Sequence, residues 1–171
     1  MTRGLSRVAA AVAVAVAIAI PGTLPAQSFS VGAGGAVLTT SRILQGEAAG
    51  GVVGVIGQAE AAFGHAGLRA DVTVFDGVVL TTLGGAWHIL GSGRTIDPFA
   101  FGAGVLQLPT FDWGDGTGAG LAGGAGIGVR PRGSRVVATV ELRLLHLFRN
   151  AYEFDPRNLL QLSAGLRLML R

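Results

Sequence analysis

The sequence predicts an all-β protein: an eight-stranded antiparallel up-and-down transmembrane β-barrel that follows a cleaved signal peptide. Three observations carry this prediction. Half of the 171 residues are hydrophobic, only 13% are charged and the mean hydropathy is +0.55, too apolar a composition for a disordered tail or a well-solvated surface. Beyond the N-terminal segment no stretch reaches the run of about 18 apolar residues that a membrane helix requires. Lipid then admits only a closed barrel, because only helices and closed barrels satisfy every backbone hydrogen bond there. Finally, the rest of the chain divides into eight segments of alternating polarity separated by turn residues.

The first element is an address. Arg3 and Arg7 precede the uncharged run Val8 to Ile20, which is followed by Pro21, Gly22 and the small residue Ala26. That order is a secretory signal peptide, and its apolar run is shorter than the roughly 20 residues of a membrane-spanning helix. Residues 1–26 are therefore expected to be removed, leaving 27–171 as the barrel. The sequence contains no cysteine, which excludes disulfides, thiolate metal sites and a cysteine nucleophile. Its pI near 11 reflects arginine in the absence of lysine, not the clustered basic face that nucleic-acid binding needs. The 29 glycines follow no three-residue period, which excludes collagen.

In order, the predicted strands are 29–39, 51–63, 67–75, 78–90, 96–108, 118–130, 135–149 and 159–171. Their lengths suit tilted strands crossing a bilayer, and an even number fits the smallest bacterial barrels. Short turns join strands two and three (around His65), four and five (Gly91 to Arg94), and six and seven (Pro131 to Ser134), as expected on the periplasmic side. The other side carries the tight hairpin Asp76-Gly77 and the longer segments 41–50, 109–117 and 150–158.

Alternation assigns the faces. The last strand places Leu160, Leu162, Ala164, Leu166, Leu168 and Leu170 on one face. The third sets Leu68, Ala70, Val72 and Val74 against Arg69, Asp71 and Thr73, and the seventh sets Val136, Ala138, Val140, Leu142 and Leu144 against Thr139, Glu141 and Arg143. With lipid outside, Glu60, Arg69, Asp71, Arg130, Glu141, Arg143 and Arg167 point inward. Unpaired charges in so narrow an interior are costly, so these are expected to pair into a salt-bridge network that fills the lumen. Ile56, Leu106, Val137 and Leu145 are bulky apolar residues assigned to the inward phase, with local bulges as the alternative. Glycines 120, 124, 126 and 128 are expected to face inward and make room for long charged side chains. The aromatic residues form two girdles at the strand ends: Phe29, Phe63, Trp87, Phe99 and Phe101 on the periplasmic side, and Phe75, Phe111, Trp113, Phe148, Tyr152 and Phe154 on the external side.

The order of these features resembles the small outer-membrane β-barrel family, the OmpA- and OmpX-like transmembrane domain of Gram-negative bacteria. The residues that carry the resemblance are Pro98 to Val105 (PFAFGAGV), similar to a strand entry of such barrels, Gly124 to Gly128, Val140 to Arg143 (VELR), similar to the penultimate strand, and Ala164 to Leu168 (AGLRL), similar to the closing strand. One departure is the C-terminus, Leu168-Met169-Leu170-Arg171, where family members commonly finish on an aromatic residue. The resemblance implies residence in the outer membrane as a monomer. It also implies contact with outer-membrane lipid and lipopolysaccharide and assembly by the barrel assembly machinery; because nothing follows Arg171 in this sequence, the peptidoglycan-binding domain that larger relatives append is not expected.

Chemistry in this sequence is sparse. Gly118-x-Gly120-x-x-Gly123 matches a dinucleotide fingerprint in form, but no βαβ unit surrounds it. A lipid hydrolase would need a nucleophile, a histidine and a carboxylate in reach of one another. His65 and His88 lie towards the periplasmic side, and only His146 is placed near the outer leaflet. No serine lies within two residues of it, unlike the His-x-Ser pattern of lipid A deacylases, and an interfacial ring is the preferred reading. Asp112, Asp115, Glu153 and Asp155, with Trp113 and Tyr152, make the external loops the candidate interaction surface. Asp112-x-x-Asp115-Gly116 does not follow the calcium-loop pattern, and neither a metal nor a cofactor is expected. The function expected is non-enzymatic: a barrel with a largely plugged, charged lumen and a structural or surface-interaction role. The alternatives are a narrow gated pore and a soluble periplasmic, lipocalin-like carrier of an apolar ligand.

Overall fold

A computed structural model describes residues 28–40, 50–109, 116–149 and 158–170. The segment expected to be a signal peptide, residues 1–26, and the expected loop residues Asp112, Trp113, Asp115, Tyr152, Glu153 and Asp155 lie outside the described residues. Eight antiparallel strands form a closed barrel in chain order: β1 (Ser28–Thr40), β2 (Gly51–Phe63), β3 (Ala66–Phe75), β4 (Val78–His88), β5 (Ile96–Pro109), β6 (Gly118–Val129), β7 (Val136–Arg149) and β8 (Asn158–Leu170). The sheet closes where β1 pairs with β8, from Phe29 opposite Leu170 to Thr40 opposite Leu159. Both termini of the barrel thus lie at the end that carries the three short turns, here the turn end. The opposite, loop end carries the Asp76-Gly77 hairpin, where Gly77 has a φ of 85°, a value that glycine adopts without a Cβ clash.

The strand boundaries follow the polarity pattern closely, and the differences occur at the turns. β4 ends at His88, so Ile89 and Leu90 belong to the turn. β6 ends at Val129 and β7 begins at Val136, which leaves Arg130 and Arg135 in the turn between them. In β7 every second residue from Val137 to Leu147 is buried and the intervening residues are exposed. Leucines 142, 144, 162, 166 and 168 are all exposed on the outer face. Leu106 is also on the outer face, 51% exposed, which corrects its inward assignment. The inward phase of β5 runs instead through Asp97, Phe99, Phe101, Val105 and Gln107, all buried. Ile56, Val137 and Leu145 are buried as expected. The irregularity lies elsewhere, as a register shift at Ala119/Gly120 in the β6–β7 pairing.

Three aromatic residues leave the expected girdles. Phe75, Phe99 and Phe101 are buried, at 3%, 1% and 9% exposure, whereas Trp87 and Phe148 stand outside. The glycines of β6 explain how an eight-stranded interior holds two phenyl rings. A Cβ on Gly126 would lie 2.6 Å from the Phe99 ring and one on Gly124 would lie 2.8 Å from the Phe101 ring. The glycine strip therefore seats rings as well as charges. A Cβ on Gly126 would also lie 2.8 Å from Glu141 Cγ, and one on Gly128 would lie 3.6 Å from an Arg167 nitrogen.

The loop-end half of the interior is mainly apolar, with Thr73 and Gln107 buried beside the apolar side chains. Ala36, Ile56, Phe75, Val78, Leu80, Val105, Ala122, Leu145 and Leu147 form one buried cluster. Polar side chains occupy the middle and the turn-end half. Gly126→Val is expected to destabilise the barrel by about 1–3 kcal/mol through overpacking, measured by urea unfolding in micelles. Gly102→Ala, whose Cβ would meet nothing within 4 Å, should be close to neutral.

Candidate functional site: the charged lumen

β3 and β7 stand on opposite walls of the barrel, four strands apart in either direction. The inward phase of each strand supplies one arginine and one acid two residues apart, and the four groups meet in the lumen as a closed ring. Arg69 Nε is 3.0 Å from Asp71 Oδ1, and Arg69 Nη2 donates to Glu141 Oε2 at 2.6 Å. Arg143 Nη1 lies 3.0 Å from Asp71 Oδ2 and its Nη2 donates to Glu141 Oε2 at 2.9 Å. Cations and anions alternate, so the ring has no net formal charge. Thr82 Oγ1 donates to Asp71 at 2.9 Å and Gln58 Nε2 to Glu141 at 3.3 Å. Gln161 Nε2 donates to Thr73 Oγ1 at 3.3 Å, adding a neutral link between β8 and β3. Arg143 has no solvent exposure, and carboxylate and guanidinium in so dry a site are retained only in such compensated arrangements.

A second cluster lies towards the turn end. Arg167 Nη1 donates to Glu60 Oε2 at 2.8 Å, and the other Glu60 oxygen is 2.9 Å from His88 Nε2. The remaining ring nitrogen, His88 Nδ1, is 2.8 Å from Asp97 Oδ2. β8, β2, β4 and the start of β5 are thereby linked in a chain. With both nitrogens turned to carboxylates, His88 has none left to take a proton from a hydroxyl, so the group acts as a bridge between ion pairs rather than as a general base.

Phe99 sits between the two clusters, its ring centroid 5.5 Å from the Arg69 guanidinium carbon and 5.3 Å from that of Arg167. Phe101 receives Arg69 and Arg143, each at 5.0 Å. Arg69 Nη1, Arg143 Nε and Arg167 Nε find no hydrogen-bond acceptor among the described residues. Ring faces meet these guanidiniums instead, a contact worth about 0.5–2 kcal/mol when desolvated.

Of the seven lumen residues expected from sequence, Glu60, Arg69, Asp71, Glu141, Arg143 and Arg167 are brought together in these clusters. Arg130 is not. It follows the last residue of β6, half-buried in the turn-end mouth, where it donates to the Gly93 carbonyl and to Met169 Sδ. Sequence reasoning missed His88, Asp97, Phe99 and Phe101. Their signal was the phase of β4 and β5: once Trp87 faces outward, His88 must face inward, and its partner across the ladder is Phe99.

The other histidines lie elsewhere. His65 stacks on Trp87 at 5.6 Å, with Nδ1 2.7 Å from the His88 carbonyl oxygen. His146 is exposed at the loop end, edge-on to Phe148, with Nδ1 2.7 Å from Asn158 Oδ1. Among the described residues no three His, Asp or Glu side chains gather in a metal-binding arrangement.

Glu141→Ala leaves Arg69 and Arg143 buried and undercompensated and is expected to cost about 3–5 kcal/mol of stability. Replacing Arg69, Asp71, Glu141 and Arg143 together by apolar residues of matching volume should cost far less. Unfolding transitions of the two variants in one micelle system distinguish these outcomes.

No protein-family model and no curated protein matches the sequence. Solved structures do match the fold. Neisserial surface protein A (NspA) superposes with a TM-score of 0.62 at 16% identity, over 82% of this chain and 96% of that one. The N-terminal β-barrel domain of Pseudomonas aeruginosa OprF gives 0.54 at 15% identity, over 82% and 97%. Ail, the attachment invasion locus protein of Yersinia pestis, gives 0.50 at 12% identity, over 84% and 97%. The chain has the fold of the small, OmpA/OmpX-like eight-stranded outer-membrane β-barrels.

Proposed function

We propose that this chain is a non-enzymatic outer-membrane protein whose lumen is a plug and whose role is structural or surface-interactive, exercised through the external loops. The interior arrangement carries the reading. Two ion-pair clusters fill the turn-end and central lumen, and an apolar layer from Ile56 to Leu147 fills the rest. An interior packed with side chains supports a plug over an open conduit. Leucines and valines on the outer face, with the charges inside, support lipid around the barrel. A carrier of an apolar ligand would need the reverse. The short turns then face the periplasm and the loops that contain Asp112, Trp113, Asp115, Tyr152, Glu153 and Asp155 face outward, where lipopolysaccharide is the neighbouring surface. Assembly by the barrel machinery and a monomeric state belong to the same proposal.

Cell fractionation combined with heat-modifiability electrophoresis tests it. The expected result is a carbonate-resistant outer-membrane protein whose mobility changes only on boiling. Reconstituted in planar bilayers, the unmodified protein is expected to give no ohmic steps. Recovery as a soluble periplasmic protein would return the carrier reading, and stepwise conductance would return the pore.

A further inference from the structure

The lumen charges are matched, three arginines and a histidine against four carboxylates. The turn end is different. Arg94, Arg130, Arg132 and Arg135 lie in its turns, and among the described residues none has a carboxylate partner. The carboxylates nearest to this end among the described residues, Asp97 and Glu60, are buried and already engaged by His88 and Arg167.

Two of the unmatched arginines, Arg130 and Arg135, line a cavity of about 660 Å³ in the turn-end mouth, together with Ser28, Ser92, Ser134 and Met169. The volume falls within the range of about 300–1,000 Å³ typical of small-molecule sites. Arg130 is held in place by neutral groups, the Gly93 carbonyl and the Met169 thioether, so its position is set while its charge stays uncompensated. Ser134 Oγ is occupied by the turn, accepting from Val136 N at 2.9 Å. Among the described residues the hydroxyls of Ser28 and Ser92 have no hydrogen-bond partner, and they add neutral donors. Met169 and Leu170 give the cavity an apolar wall.

We propose that this mouth is a binding site for a phosphate ester. Two guanidiniums and two hydroxyls line the same cavity and are donors of the kind a multi-oxygen anion accepts, and guanidinium matches phosphate geometry in particular. The volume and the Met169–Leu170 wall accommodate the organic part of an ester as well as the phosphate itself. The mouth opens to the aqueous side of the barrel within reach of the surrounding headgroups, so the phosphate comes either from a soluble ester or from a phospholipid. The cavity adjoins the Arg167–Glu60–His88–Asp97 cluster, sharing Ser28, Ser92, Gly93 and Met169 with the space beside it, but Arg130 and Arg135 belong to neither ion-pair cluster and the site does not depend on whether the lumen is a plug.

The test uses sn-glycerol 3-phosphate, which carries the chemistry common to both sources, titrated into the folded protein in zwitterionic micelles free of other phosphate. Binding is read by calorimetry. Saturable binding is expected, weakened about tenfold or more in Arg130→Gln and in Arg135→Gln, the loss that follows removal of one charge-assisted hydrogen bond. Arg149→Gln, at the loop end, should bind like the unmodified protein. Arg135 is exposed, so its variant removes charge without disturbing the interior, and the heat-dependent mobility shift confirms folding of each variant. The same titration in nanodiscs separates the sources. Weaker apparent binding in phosphatidylcholine nanodiscs than in the phosphate-free micelles identifies the headgroup as occupant, and equal binding identifies a soluble ester. Absence of saturable binding in micelles, or full binding by both arginine variants, would overturn the proposal.

Discussion

Closure of β1 onto β8 is the constraint on which the rest of the structure depends. A strand edge in hydrocarbon would leave a row of unpaired amides and carbonyls, and pairing Phe29 through Thr40 with Leu170 through Leu159 removes it. Eight strands closed in this way leave an interior wide enough for side chains and little else. Everything inside must then be chosen for fit. Gly124 and Gly126 give up their side chains so that Phe101 and Phe99 fit, and the rings in turn provide faces on which Arg69, Arg143 and Arg167 rest.

Polarity inside the barrel follows from the same geometry. A lumen lined only by leucine and valine would satisfy packing. A period-two strand whose outer face is apolar gains a unique register from polar residues inside. Buried charges carry a desolvation penalty, and this interior offsets it by placing each charged group against an opposite charge. The Arg69–Asp71–Arg143–Glu141 ring spans the lumen between opposite walls, so it acts as a brace as well as a filler. The apolar layer nearer the loops, built around Ile56, Phe75, Leu80 and Leu145, contains none of these charges. That segregation puts all the ionic structure in the centre and turn-end half, and it leaves the turn-end arginines as the described cationic groups of that end without matching acids.

Much of this was legible from alternation alone. In β3, β7 and β8 the charged residues share one face, and their burial follows from that phase. β5 was harder to read, because Ile96 to Leu108 holds apolar residues on both faces and its charge, Asp97, lies at the strand entry. Leu106 was assigned to the lumen and lies outside, while Phe99 and Phe101 were assigned to a girdle and lie inside. Arg130 failed for a different reason. It has the inward phase of β6, but the strand ends one residue before it, and past that point phase no longer decides where a side chain goes.

What the sequence determined by itself was the number of strands, their order, the outward-facing side of most of them and six of the charges that share the interior. These are local properties: periodicity, length and turn residues act within a segment, and closure leaves no strand edge unpaired. Only the tertiary structure decided which charges meet. Partners such as Arg69 and Glu141 are 72 residues apart in the chain, on strands that never pair, and their contact depends on barrel diameter, strand tilt and the stagger of the ladder together. The same holds for His88 between Glu60 and Asp97, and for the two rings seated on glycines. Such contacts across a narrow closed space arise from how far apart the walls stand, a quantity that no single strand encodes.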